Sequence, residues 1–135
     1  MNDEERHEQG MTVRRGVLGD DHVDRAVANT TDLTAPFQDF ITRYAWGDVW
    51  ARPGLDRRTR SIVTLTALTA LRAENEIAMH VRAAITNGLT PAEITEVLLH
   101  TAVYSGLPAA NAAFAIAQRT LAEMGLAEAQ PPREA

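Results

Sequence analysis

The chain has no cysteine. Disulfides, zinc–thiolate sites and thiol redox chemistry are therefore closed to it. Strand signals are nearly absent too: no alternating run of β-branched and aromatic residues is bounded by a hairpin turn. No apolar run reaches the roughly 20 residues that span a bilayer. The first residues, MNDEERHEQG, are charged and lack the apolar core of a secretory leader, so the expected location is cytoplasmic. Basic residues are outnumbered, with 13 Lys+Arg against 18 Asp+Glu and a net charge of -5. That balance argues against nucleic acid, whose phosphates demand a basic face.

What remains is helix. At 135 residues and 45% apolar content, the sequence is long enough for one domain with a real core. The expectation is a compact all-α domain of about six helices over residues 1–126, with a disordered tail at 127–135. Residues 3–17 read as a loose polar helix around Gly10, and DDHVDRAVA as a short helix after Gly19. Thr34 reads as an N-cap, with Pro36 in the first turn of a helix running to about Trp46. ARPGLD breaks the chain, and Asp56 precedes RRTRSIVTLTALTAL, a helix apolar around most of its circumference and so expected to be buried. AENE interrupts or bends it. Asn87-Gly88 is a stop, and Thr90-Pro91-Ala92-Glu93 is a capping box with proline at the first helical position. Gly106 and Pro108 break that helix before a last one, alanine-rich, that ends at Gly125. Alanine helices bury little area each, so a core completed against further copies, a homo-oligomer, is expected.

Four polar groupings stand out. Glu76 and His80 are four residues apart, on one helix face. They can be a surface pair, two metal ligands, or an acid/base pair in which the carboxylate tunes the imidazole. No third ligand motif accompanies them, so no metal is expected. Glu96, His100 and Tyr104 form a second stripe at i, i+4, i+8, away from the Ile94/Leu98/Thr101 side. Tyr44, Trp46 and Trp50, with Arg43 and Arg52, are the third group: a core edge, or a pocket wall with carboxylate-binding arginines. Arg57, Arg58 and Arg60 open a helix where cations oppose its dipole, which suggests an acidic partner.

The run from RYAWGDVWARPGLDRRTR through NGLTPAEITEVLLH to YSGLPAANAAFAIA resembles the carboxymuconolactone decarboxylase family, and GMTVRRGVLGDDHVDRA extends the likeness upstream. The resemblance implies an alkylhydroperoxidase-like helical fold. The positions matching that superfamily's two cysteines are Ala73 and Glu76, so peroxidase chemistry does not carry over; His80 matches its histidine. It further implies a cofactor-free decarboxylase converting 4-carboxymuconolactone to 3-oxoadipate enol-lactone in the protocatechuate branch of the beta-ketoadipate pathway, as a homo-oligomer, by expectation a hexamer. On that basis His80 is the expected proton donor or dienolate stabiliser, oriented by Glu76, with Glu76 itself as the other donor candidate. His100 and Tyr104 are expected to contact substrate, Trp46 to form a wall, and Arg43 and Arg60 to bind carboxylates, with Arg72 and Arg82 competing. The alternatives are a related enzyme acting on another lactone or oxo-acid, and a non-catalytic binding protein on the same scaffold.

Overall fold

A computed structural model describes residues 1–129, and every regular element in them is helical. The order is α1 (Asp3–Leu18), α2 (Asp20–Ala28), α3 (Ala35–Ile41), a π-helix (Thr42–Trp50), α4 (Arg57–Ala70), α5 (Glu74–Thr86), α6 (Pro91–Ser105) and α7 (Leu107–Glu123). The count exceeds six because AENE does not merely bend a helix. Arg72 takes a left-handed conformation (φ 59°), and that residue ends α4 and frees the chain to start α5. Backbone contacts gather the chain into two units, Met1–Arg57 and the part from Arg58 on. No described helix is long and apolar enough to cross a membrane.

The N-terminal unit is built on a close approach of α1 to the π-helix. Gly10 and Gly47 make it possible. A Cβ on Gly10 would lie 2.0 Å from the Thr42 carbonyl oxygen, and one on Gly47 would lie 2.7 Å from that of Arg6. Side chains reinforce the seam: Gln9 Nε2 donates to the Gly47 carbonyl at 3.0 Å, and Arg6 Nε to Asp48 Oδ1 at 3.0 Å. Gly10 thus does not loosen α1 but lets it dock. Thr34 takes the N-cap position expected from sequence, with Pro36 in the first turn, but its side chain makes no capping hydrogen bond. Its backbone is already helical (φ -96°, ψ -15°), and its hydroxyl accepts from the Thr31 N–H, closing the preceding turn instead. The helix it precedes does not stop near Trp46 but continues in π geometry to Trp50.

In the C-terminal unit, Leu65 of α4, Ile77, Val81 and Ala84 of α5, Ile94 and Leu98 of α6, and Ala113, Ala117 and Leu121 of α7 form one buried cluster with Leu89. The local stops are as the sequence predicts. Asn87 and Gly88 (φ 101°) end α5. The Thr90 hydroxyl accepts from the Glu93 N–H at 3.1 Å while the Glu93 carboxylate accepts from the Thr90 N–H at 3.0 Å. Gly106 (φ 94°) separates α6 from α7. Helix α4 is not buried all round: Ser61, Leu65 and Thr69 point inward, while Val63 is 55% exposed. Ile62 and Leu68 flank that stripe, partly buried against the core. At the start of the tail, Ala127 packs on the core and the Glu128 carbonyl accepts from Gln118 Nε2. Residues 130–135 of that tail lie outside the described residues.

The glycine seam gives a direct prediction. Gly10→Ala drives a methyl into a backbone carbonyl that cannot move aside, and should destabilise the protein by about 3 kcal/mol or more. Gly54→Ala, where nothing lies within 4 Å of the new Cβ, should stay within about 0.5 kcal/mol. Equal urea midpoints for the two variants would refute the close approach.

Candidate active site

Helix α5 carries the expected acid/base pair. It begins after the left-handed Arg72, with Ala73 at its N-cap and Glu74 and Glu76 in its first turn, where the helix dipole favours carboxylates. Ile77, Val81 and Ala84 bury one stripe of the helix, which fixes its rotation. Glu76 and His80 then fall together on the flank of that stripe, Glu76 exposed and His80 half-buried. Beside the helix start lies a cleft of about 310 Å³ lined by residues 72–76.

Its electrostatics are uneven. Glu74 and Glu76 supply two carboxylates, and the one guanidinium, Arg72, already donates from Nη2 (2.7 Å) and Nε (3.0 Å) to Glu74 Oε1. The cleft alone does not attract a dicarboxylate. Arg82, the other competing arginine, is bound to Glu123 of α7 at 2.7 Å. Of the arginines that open α4, Arg58 meets Glu93 of the α6 capping box, so for that residue an acidic partner lies in the same chain. Arg60, which closes the first turn of α4, is half-buried.

On α6, Ile94, Leu98 and Thr101 are buried and Glu96, His100 and Tyr104 exposed, as their spacing predicts. The His100 and Tyr104 rings lie 5.3 Å apart, tilted by 35°. At the corner of α6 and α7 is a different cavity of about 580 Å³, apolar in character, walled by Leu99, Leu107, Pro108 and Phe114 among others. None of the expected site residues lines it. Trp46 and Arg43 belong to the N-terminal unit. Trp46 is buried, with its ring 5.2 Å from that of Trp50, and Arg43 is half-buried. The structure therefore groups the candidates as Glu76 with His80 on α5, His100 with Tyr104 on α6, Arg60 on α4, and Arg43 with Trp46 on the π-helix. Among the described residues, no three His, Asp or Glu gather as a metal ion requires.

This arrangement can be set beside known proteins. Residues 35–119 match the carboxymuconolactone decarboxylase family. The chain belongs to that family. It is 50% identical to a 4-carboxymuconolactone decarboxylase of Acinetobacter baylyi, over 94% of this chain and 95% of that protein. It is 45% identical to nitrosuccinic acid decarboxylase npaB of Metarhizium robertsii, over 87% of this chain and 82% of that one. An uncharacterized 15.0 kDa protein of Paracoccus denitrificans is 39% identical over 58% of this chain and 60% of its own length. The family segment contains Glu76, His80, His100, Tyr104, Trp46, Arg43 and Arg60, and the fold is the helical one that membership implies.

Sequence reasoning did not foresee the backbone at Arg72. A left-handed arginine has no composition signal; only the failure of the helical pattern at AENE hinted at it. The conformation costs an ordinary L-residue about 1–2 kcal/mol, and glycine almost nothing. Arg72→Gly should therefore hold the unfolding free energy within about 1 kcal/mol, relief of strain offsetting the lost, half-exposed ion pair. Arg72→Val, β-branched, should lose about 1–2 kcal/mol more than the glycine variant. Urea titrations that rank valine level with glycine would remove the strain from this turn.

Proposed function

We propose that this protein is a 4-carboxymuconolactone decarboxylase, releasing carbon dioxide to give 3-oxoadipate enol-lactone in protocatechuate degradation. The observation that carries the reading is half identity to the Acinetobacter baylyi decarboxylase along nearly the full length of both chains. A second reading, decarboxylation of another small organic acid, is favoured by the 45% identity to nitrosuccinic acid decarboxylase.

The substrate supplies its own electron sink. As the bond to the departing carboxylate breaks, its electron pair moves through the ring double bond onto the lactone carbonyl oxygen. Carbon dioxide leaves, and a proton must reach the ring carbon. The chain contributes no lysine, since the 13 Lys+Arg positions are all arginine, so a lysine Schiff base is excluded. A cofactor-free route asks three things of the protein: anchoring of carboxylates, stabilisation of the dienolate oxygen, and a proton donor. His80 is the donor or dienolate partner in this reading, and Glu76 holds its protonation state. Glu76 as donor is the other assignment. Arg60 and Arg43 are the candidate anchors for the carboxylate that stays, His100 and Tyr104 the candidate substrate contacts, and Trp46 a wall.

His80→Gln keeps a hydrogen-bond donor and removes the titrating group, so kcat should fall about 10²–10⁴-fold with a smaller change in KM. The comparison that decides is His100→Gln, assayed by loss of lactone absorbance. If that variant loses turnover while His80→Gln retains it, with both folded, the proton comes from α6.

The proposal includes a homo-oligomer in the cytoplasm. Two apolar stripes are left exposed among the described residues. On α6 and the start of α7, Leu99, Val103 and Leu107 are 50%, 77% and 75% exposed. Around α3, Phe37, Phe40 and Tyr44 are 61%, 50% and 56% exposed, with the Phe40 and Tyr44 rings stacked at 5.3 Å. Stripes of this kind suit burial against further copies. Val103→Glu should shift sedimentation toward smaller species. A wild-type protein that sediments at 14.7 kDa at micromolar concentration contradicts the assembly.

A further inference from the structure

The N-terminal unit contains a buried charge that nothing so far explains. Arg14 is only 6% exposed, on the inward stripe of α1 with Gly10, Val13 and Val17. Its Nη2 donates to Gln38 Oε1 at 3.1 Å and its Nη1 to Thr42 Oγ1 at 3.4 Å. Both acceptors are neutral. The Nε–H is buried and donates to no group. No ion pair of the described residues includes Arg14. Asp39 lies on the same cavity, but its Oδ1 faces His7 Nε2 at 3.5 Å and its side chain is 58% exposed. A guanidinium has five N–H donors, and a buried one normally has a counter-charge, because desolvation of an unpaired ion is costly.

The space beside it is the right kind. A cavity of about 280 Å³ is lined by His7, Met11 and Arg14 of α1, Val27 of α2 and Thr30 just after it, Gln38 and Asp39 of α3, and Thr42, all within this unit. Met11 and Val27 offer apolar wall. Thr30 Oγ1 donates to the Ala26 carbonyl at 2.9 Å, which leaves its lone pairs rather than its proton for other contacts. Gln38 spends its amide oxygen on Arg14 and keeps its amide N–H groups.

We propose that this cavity binds the carboxylate of a small organic acid, with Arg14 as its anchor. The Nε–H and an adjacent Nη–H form an edge that matches the two oxygens of a carboxylate. With one guanidinium, and with the Asp39 carboxylate turned to His7 and largely exposed, the lining suits no more than a single added negative charge on a short carbon chain. A phosphate would bring more charge than the lining offsets. Burial, and after it the neighbouring Arg15 charge, lower the pKa of the Arg14 guanidinium. A bound anion opposes both effects. The site does not rest on the decarboxylase reading, since the carboxylate can come from that reaction's own substrate or product, or from an unrelated acid.

Butyrate and succinate are suitable probes, titrated into the full-length protein while the arginine Nε–Hε resonances are followed by NMR, with sodium chloride at matched ionic strength as control. The Arg14 signal should shift saturably in the millimolar range with at least one acid, and the melting temperature should rise by several degrees near saturation. Both responses should vanish in Arg14→Met, which keeps the length of the side chain without the charge. If that variant does not fold, the wild-type resonance alone decides. Absence of a saturable shift with both acids overturns the proposal, and so does an equal melting-temperature rise in folded Arg14→Met. Kinetics then separate the sources. Competitive inhibition of decarboxylation by the bound probe assigns the site to substrate, and unchanged kinetics assign it to a separate acid.

Discussion

Alanine at the helix seams is the constraint on which the C-terminal unit depends. Ala84 of α5 and Ala113 and Ala117 of α7 sit fully or almost fully buried where those helices meet. A methyl group permits close backbone approach, but it contributes little transfer free energy, since burial is worth roughly 25 cal/mol per Å². The larger residues, Leu65, Ile77, Ile94 and Leu98, must then carry the cluster from a few positions. Their placement sets the rotation of each helix. On α5 the buried stripe leaves only its flank for Glu76 and His80; on α6 it leaves the outer half for Glu96, His100 and Tyr104. The same thin core explains the uncovered faces. Helix α6, with Ile94, Leu98 and Thr101 turned inward, still has Leu99 and Val103 to place elsewhere.

The N-terminal unit meets a similar problem with glycine. Gly10 and Gly47 bring α1 and the π-helix to backbone contact, closer than alanine would permit. Polar side chains then bridge the seam, Gln9 to a carbonyl, Arg6 to Asp48, Arg14 to Gln38 and Thr42. The consequence is a helix, α1, whose composition is polar yet whose inner stripe is buried. Hydrogen bonding and shape do there what apolar area does in most helices.

That difference decides what could be read from the sequence. The Thr90 capping box, the Asn87-Gly88 stop and the Gly106 break were legible because each is settled within a few residues by backbone chemistry. The split of α4 from α5 was legible as a fault in the pattern but not as a left-handed arginine. The π-helix was not legible: it differs from an α-helix in hydrogen-bond register, and TRYAWGDVW has no residue that enforces the change. The exposure of Val63 was missed because an apolar circumference says that a helix wants cover, not that its own chain supplies it. Arg14 was passed over among the charges of α1. Its signal was present: it shares the stripe of Gly10, Val13 and Val17, where a charge is out of place.

The candidate site shows the same division. Sequence spacing put Glu76 with His80 and His100 with Tyr104, because helical periodicity fixes such neighbours. It was silent on charge balance, which depends on who pairs with whom. Arg72 is engaged by Glu74 and Arg82 by Glu123, so two guanidinium groups that looked available to a substrate are already partnered, and Arg58 is held by Glu93. A dianion would have to compete with those carboxylates or rely on other cations. In a chain whose net charge is -5, anion recognition therefore cannot come from a diffuse field and must come from a few directed contacts. Arginine suits that demand better than lysine does, because its planar fork fixes the orientation of a carboxylate as well as its charge. Orientation is also what a decarboxylation most needs: the breaking bond must stand perpendicular to the plane of the ring double bond and lactone carbonyl for the electron pair to enter it.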